Sequence, residues 1–290
     1  MAAVAELLRS HMPADQSDWL DLAQTLGQGK LRERAARMDE ENRFPFENYD
    51  DLRQSGLLGL TVPKEYGGGG VDSVTYVGVL TEIAQGCAST GLTFNMHCAI
   101  IDFLSQIASP NQKKKYFHEV VDEGAVLASI TSEPASSFRD VFRVKTQIVQ
   151  DDDGYRLNGT KAWCSLSTAA RYYFTWSRLK NSETLADGLL NVMVPSDRPG
   201  IEIMDDWDTL GMRATASNSI KFDNVRLEQD EVIGEPGVIL TKDLSFWSLG
   251  YTAVYVGIAE AAYAYCLEHA RTQLGYFEED SAQATRIHRQ

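Results

Sequence analysis

Apolar positions recur at helical spacing through the first 124 residues, and the pattern then changes to that of strands. Leu20, Leu22, Leu26 and Leu31 are followed by the charged face of Arg32 to Glu41. Pro45 interrupts, and Phe46 to Gly56 resumes as a short helix that ends at its glycine. Leu57 to Pro63 is a short apolar link, and Glu65 to Gly70 is a flexible turn. From Asp72 onward Val77, Leu80, Ile83 and Ala84 share a helix face. Cys87 to Gly91 breaks that pattern, Leu92 to Ile107 forms a strongly apolar helix, and Gln112 to Val121 an amphipathic one after Pro110. Residues 1–124 therefore read as a helical domain of roughly five or six helices.

The strand signals begin at Val126. An apolar, β-prone run to Ile130 meets the polar turn Thr131-Ser132-Glu133-Pro134, and alternation resumes from Val144 to Val149. Asp153-Gly154 and Asn158-Gly159 both carry the composition of tight hairpin turns, the second delivering a strand with Trp163, Cys164 and Ser165. Further strands are expected at Tyr172 to Trp176, Leu189 to Val194, Ile201 to Met204 and Ser219 to Leu227. Pro236-Gly237 marks a boundary, after which Val238 to Ala270 is helical, with a packing face of Val254, Gly257, Ile258, Ala261 and Ala262. The fold class is thus α+β and multidomain: a helical domain over 1–124, a central antiparallel β-barrel or sandwich over 125–236, and the start of an incomplete helical bundle over 237–290.

Within the β region, residues 126–165 gather small hydroxyls and one indole that are far apart in sequence. Such a set can hold a flat ligand with polar edges. On the residues alone the alternative is that Ser132 and Ser165 cap turns and Trp163 belongs to the core. The 27 basic and 41 acidic residues give a net charge of −14, which argues against nucleic acid as a partner. Lys113 to Lys115 read as a solvated helix face. No apolar run approaches the roughly 18 residues of a membrane span, and the N-terminus lacks the pattern of a secretory signal. Cys87, Cys98, Cys164 and Cys266 show no C-x-x-C spacing, so reduced thiols and a cytoplasmic setting are expected. The run Gly67 to Gly70 completes neither a P-loop nor a dinucleotide fingerprint. His97 has no second His or carboxylate at i+4, so it is read as a packed histidine and no metal site is assigned.

Several segments, taken in order, resemble acyl-CoA dehydrogenases: Thr61-Val62-Pro63-Lys64-Glu65-Tyr66-Gly67-Gly68, Cys87-Ala88-Ser89-Thr90-Gly91, Ser132-Glu133-Pro134, Leu157 to Trp163, Leu210-Gly211-Met212-Arg213 and Phe222 to Leu227. The resemblance implies a helical domain, a β domain and a four-helix bundle most of which lies outside this sequence, with FAD between the β domain and the helices. It implies α,β-dehydrogenation of an acyl-CoA thioester in fatty acid metabolism. A carboxylate takes the α-proton, a hydride passes to flavin N5, and electrons leave to an electron-transferring flavoprotein. A homo-oligomer, dimer or tetramer, is implied as well.

Carried over by residue, the first flavin segment falls on Ser129 to Phe138. Ser129, Ile130, Thr131 and Ser132 would meet the pyrimidine edge, with the Ser132 hydroxyl as a contact. The second segment falls on Trp163, Cys164 and Ser165, with Trp163 covering one flavin face and Ser165 approaching the N5/O4 edge. Phe138 stands where relatives present a serine toward the phosphates and the CoA chain, which makes it the substrate-side candidate. Most relatives carry the catalytic glutamate in the part of the bundle that lies outside this sequence, and Trp247 stands where a minority carry it on the first bundle helix. Asp243 lies one turn earlier, and the catalytic residue is left unassigned. Arg271 to Gly275 retains an Arg-x-x-x-Gly segment only loosely. The same scaffold serves flavin-dependent monooxygenases, which use reduced flavin and O₂ and need no α-base. That reaction is the alternative, alongside a non-catalytic flavin-binding or interaction protein.

Overall fold

The computed structural model describes residues 4–134 and 144–278. The helical part begins with α1 (Val4–Arg9) and α2 (Ser17–Leu26), which passes through a wide turn at Gly27–Leu31 into α3 (Arg32–Glu40). Then come α4 (Phe46–Gln54), α5 (Ser73–Gly86), α6 (Ala88–Ile107) and α7 (Pro110–Glu123). Short polar residues set the starts. Asp72 accepts the Thr75 N–H at 2.8 Å to cap α5, and Ser109 with Gln112 forms a reciprocal cap on α7 ahead of Pro110. Gly124 ends α7 in the left-handed conformation. The break expected over Cys87 to Gly91 is confined to Cys87, whose backbone is extended. Ser89, Thr90 and Gly91 belong to α6, because glycine at 91 lets that helix close on α5. A Cβ there would meet the Ala84 Cβ at 2.7 Å.

The central part contains β1 (Leu127–Ile130), β2 (Gln147–Asp151), β3 (Gly154–Lys161), β4 (Tyr172–Leu179), the short α8 (Leu185–Gly188), β5 (Leu189–Pro195), β6 (Ile201–Ile203), β7 (Ile220–Leu227) and β8 (Val232–Ile233). Strand order is β6-β7-β3-β2-β4-β5-β8, with β1 also on β4. The sheet is mixed where an antiparallel one was expected. β1 lies parallel along the first half of β4, from Leu127 opposite Tyr172 to Ile130 opposite Thr175. β2 lies parallel at its far end, with Gln147 opposite Arg178. The two strands follow one another along β4 in the same direction. The helical–β–helical organisation itself is as expected.

The hairpin between β2 and β3 turns at Asp152-Asp153, one residue before the expected dipeptide, with Gly154 already paired to Asp151 as the first residue of β3. Asn158-Gly159 does not turn the chain. It lies inside β3, where the pairing with β7 shifts register between Leu157 and Gly159. Gly159 there has φ 149° and sits against Thr146, whose Cα a Cβ would meet at 2.7 Å. An interior glycine of this kind marks a bulge and a close approach rather than a hairpin.

Two apolar cores share α6 and β4. Tyr173 packs in one with Leu80, Ile83 and Phe94. Phe174 and Trp176, on the opposite face of β4, pack in the other with Phe103, Leu104 and Phe117. The final helix, α9 (Ser245–Glu278), buries Ala253, Val254 and Gly257 against α5 and α6, whereas Ala262 and the residues after it are exposed up to Gln273.

Candidate functional site

The end of β1 and the end of β3 meet at one backbone hydrogen bond: the Ala162 N–H donates to the Ser132 carbonyl at 3.0 Å. Beside it Lys161 Nζ reaches the Thr131 carbonyl at 3.3 Å and Glu133 Oε1 at 2.9 Å. The Lys161 side chain is 0% exposed and that of Glu133 5%. Glu133 also accepts the N–H groups of Lys145 at 2.7 Å and Thr146 at 2.9 Å, where the chain returns toward β2. Burial works against the Glu133 carboxylate, but the facing ammonium and these N–H donors outweigh it and hold the carboxyl below its usual range. One glutamate thus fixes both ends of the loop against β3.

Past β3 the chain bends sharply. Trp163 is held at φ 56°, in the left-handed region that bulky residues avoid, and its residue is 60% exposed. Its ring pairs with no other aromatic among the described residues. The bend is fixed by the Cys164 N–H to the Asn218 carbonyl at 3.1 Å and the Leu166 N–H to the Thr215 carbonyl at 3.0 Å. Cys164 offers the site its backbone only. Its thiol lies in the core, and burial pushes its pKa far up. The Ser165 hydroxyl is 2.8 Å from that of Ser217, which is 2.7 Å from that of Thr215. Asn218 Nδ2 donates to Ser167 Oγ at 3.0 Å, and Ser167 Oγ donates to the Ala216 carbonyl at 2.6 Å.

The residues from Thr215 to Asn218 were not picked out by sequence reasoning. The available signal was the run Thr215-Ala216-Ser217-Asn218-Ser219 ahead of β7, in which every side chain but that of Ala216 is short and polar. Ser129 is buried in β1, and its hydroxyl has no hydrogen-bond partner among the described residues. The Ile130 side chain is in the core, and its carbonyl accepts from Thr175 Oγ1 at 2.6 Å. Thr131 and Ser132 are half-buried. The ends of β1 and β3 thus bring together the half-buried hydroxyls of Thr131 and Ser132, fixed backbone and an uncovered indole, while the Ser129 hydroxyl stays enclosed within β1. That donor and acceptor set suits a flat ring with polar edges.

The sequence matches the family model for the acyl-CoA dehydrogenase N-terminal domain over residues 13–123 and that for the acyl-CoA dehydrogenase middle domain over 128–225. The chain belongs to the acyl-CoA dehydrogenase family. It is 32% identical over 253 residues to a dibenzothiophene monooxygenase of Rhodococcus erythropolis, a match covering 84% of this chain and 60% of that protein. It is 28% identical over 243 residues to the rat mitochondrial short-chain specific acyl-CoA dehydrogenase, covering 82% and 58%. Among solved structures it is similar to FMN-bound TdsC from Paenibacillus sp. A11-2, with TM-score 0.80 and 31% identity over 88% of this chain and 65% of that one. The chain spans about 60% of the length of the curated relatives it matches.

In the acyl-CoA dehydrogenase frame, the two positions considered for a base are both engaged elsewhere. Asp243 spends its carboxylate on Ser245, accepting the backbone N–H at 2.8 Å and the hydroxyl at 2.9 Å. Trp247 packs on Phe103 at 5.4 Å and Tyr251 at 6.2 Å between ring centres. His97 is fully buried between the Leu58 carbonyl, 2.9 Å from Nε2, and the Leu127 N–H, 3.1 Å from Nδ1. It ties α6 to β1. Arg271 is exposed on α9. Phe138 lies outside the described residues. No helix among the described residues is long and apolar enough to cross a membrane.

Proposed function

We propose that this chain binds a flavin between the loop after β1 and the Trp163–Ser165 bend, and that it works as a flavin-dependent oxidoreductase. The observation that carries the reading is the Ala162-to-Ser132 hydrogen bond, which sets the half-buried hydroxyl of one segment beside the uncovered indole of the other. FAD is the expected form. TdsC is described as FMN-bound, and the residues named here would meet the ring that FAD and FMN share. Bound there, a flavin supplies two-electron redox chemistry that no protein side chain provides. The chain's own part is to stack Trp163 on one face, to present Thr131, Ser132 and the backbone at Cys164 to the polar edge, and to place Ser165 at the opposite edge. Leaving such edges unpaired costs roughly 1–3 kcal/mol each.

The first reading of the reaction is α,β-dehydrogenation of an acyl-CoA, with Phe138 on the substrate side, an electron-transferring flavoprotein as acceptor and a homo-oligomeric assembly. A second reading is monooxygenation with reduced flavin and O₂, a reaction that needs no α-base. Within this sequence neither Asp243, which is tied to Ser245, nor Trp247 offers one. Similarity to the dibenzothiophene monooxygenase agrees with it. Anaerobic addition of short and medium acyl-CoA thioesters to the flavin-loaded protein separates the two. Bleaching with formation of an enoyl product supports dehydrogenation. Absence of bleaching, with substrate oxygenation when reduced flavin and O₂ are supplied, supports the second reading.

A further inference from the structure

The segment that carries Thr131 and Ser132 lies beyond the sheet, since the pairing of β1 with β4 ends at Ile130 opposite Thr175. Two consecutive residues at the end of β3 hold it in place. Lys161 Nζ donates to the Thr131 carbonyl at 3.3 Å, and the Ala162 N–H donates to the Ser132 carbonyl at 3.0 Å. Lys161 is itself fixed in the sheet, opposite Ile220 of β7. Its ammonium also donates to Glu133 Oε1 at 2.9 Å, and the Glu133 carboxylate accepts the N–H groups of Lys145 and Thr146. Lys161 is 0% exposed, a place where lysine is costly. Two buried ions lose their hydration, and uncharged side chains of similar volume often serve stability as well or better. What an apolar side chain such as methionine lacks is a donor. An ammonium carries three N–H groups, and here one reaches a carbonyl while another reaches a carboxylate.

We propose that Lys161, with Glu133 as its partner, is a positioning residue for the flavin, setting Thr131 and Ser132 against the place of the ring edge before the ligand arrives. This rests on the flavin reading above. The pair acts through the backbone it holds and not by touching the ring. With that backbone already fixed, the half-buried groups of Thr131 and Ser132 need no ordering on binding, which raises affinity. Stability and affinity then separate. Removing both charges together spares the fold, because neither charge remains to be buried, but it leaves the Thr131 carbonyl without its donor. The ammonium is matched by a carboxylate at 2.9 Å, so its service is to the ring edge and not to the attraction of a phosphate.

The test compares the unaltered protein with Lys161→Met combined with Glu133→Gln. Binding of FAD, FMN and lumiflavin (the ring without ribityl chain or phosphate) is measured alongside the melting temperature. The double variant is expected to melt close to the unaltered protein and to bind all three at least about tenfold more weakly, as the loss of a hydrogen bond from a charged donor implies. A purely structural role would lower the melting temperature and leave the affinity of the folded fraction unchanged, which overturns the inference and leaves flavin binding standing. A loss confined to FAD and FMN would assign the ammonium to the phosphates and overturns it as well. Uptake of none of the three by the unaltered protein removes the flavin reading and the inference with it. Hydrogen exchange in the unaltered protein gives a second readout, and it decides if the variant does not fold. The amides of Lys145, Thr146 and Ala162 are expected to be as protected without flavin as with it. Protection that arises only when flavin is added means that the ligand orders the segment, and overturns the inference.

Discussion

Lys161 and Glu133 form an ion pair of 2.9 Å between two buried side chains, and the pair joins the two segments of the candidate site. Nothing in the length of chain between them brings these residues together. The sheet does so, by laying β3 beside β2 and β2 after β1 along β4. Lys161→Met removes the ammonium held 2.9 Å from the buried Glu133 carboxylate, and a loss of about 3–5 kcal/mol in urea unfolding is expected. Lys161→Met combined with Glu133→Gln is expected to recover much of that loss, because the buried carboxylate charge is then gone as well. A single variant with unchanged stability would show that the pair does not form.

Acid sensitivity should come largely from His97. Burial pushes its pKa down to about 4, from an unfolded value near 6.5, because the enclosed imidazole is held neutral. The neutral form is the folded one, so this contribution is complete above about pH 6.5. It is lost as pH falls from there toward about 4, as the unfolded chain takes up a proton that the folded chain cannot. The expected loss is about 3 kcal/mol. His97→Gln keeps a donor for Leu58 and an acceptor for Leu127 without titrating. Unfolding free energies measured at pH 7 and pH 4.5 should therefore differ less in the variant than in the unaltered chain.

The seat of α9 on α5 depends on Gly257, where a Cβ would run into the Thr81 carbonyl and come within 2.9 Å of the Ala84 Cβ. Gly257→Val should destabilise by about 1–3 kcal/mol through overpacking. The exposed Ala262→Val should change stability by less than about 0.5 kcal/mol. Thermal unfolding of the two variants makes the comparison.

Trp163 combines an unfavourable backbone conformation with an uncovered ring, and the proposed flavin site gives that combination a reason. Trp163→Gly should leave stability unchanged or raise it by about 1 kcal/mol, since glycine accepts φ 56° freely. The same change should weaken flavin binding. A strongly destabilised variant would place the indole in the core instead.

Much of this was legible in the sequence because periodicity changes where the architecture changes, at Val126 and again after Pro236. The family motifs named Ser132 and Trp163, and the fold joins their two segments through the Ala162 N–H to Ser132 carbonyl hydrogen bond. What could not be read was pairing. The sequence 158–159 has the composition of a hairpin turn, and only its neighbours β7 and Thr146 make it a bulge. Nothing local shows that β1 and β2 share one edge of β4 or that Lys161 finds Glu133. The Thr215–Ser217–Ser165 chain escaped for the same reason. Its members are ordinary short polar residues until the fold sets them 2.7 and 2.8 Å apart.

The most direct test of the flavin site is a titration of the purified protein with FAD and with FMN, followed by indole fluorescence and by the visible spectrum, beside Trp163→Ala. The expected result is saturable one-to-one binding with quenched indole emission, weakened by about tenfold in Trp163→Ala at an unchanged melting temperature. A folded protein that takes up neither flavin, or a Trp163→Ala variant that binds as tightly as the unaltered chain, would contradict it.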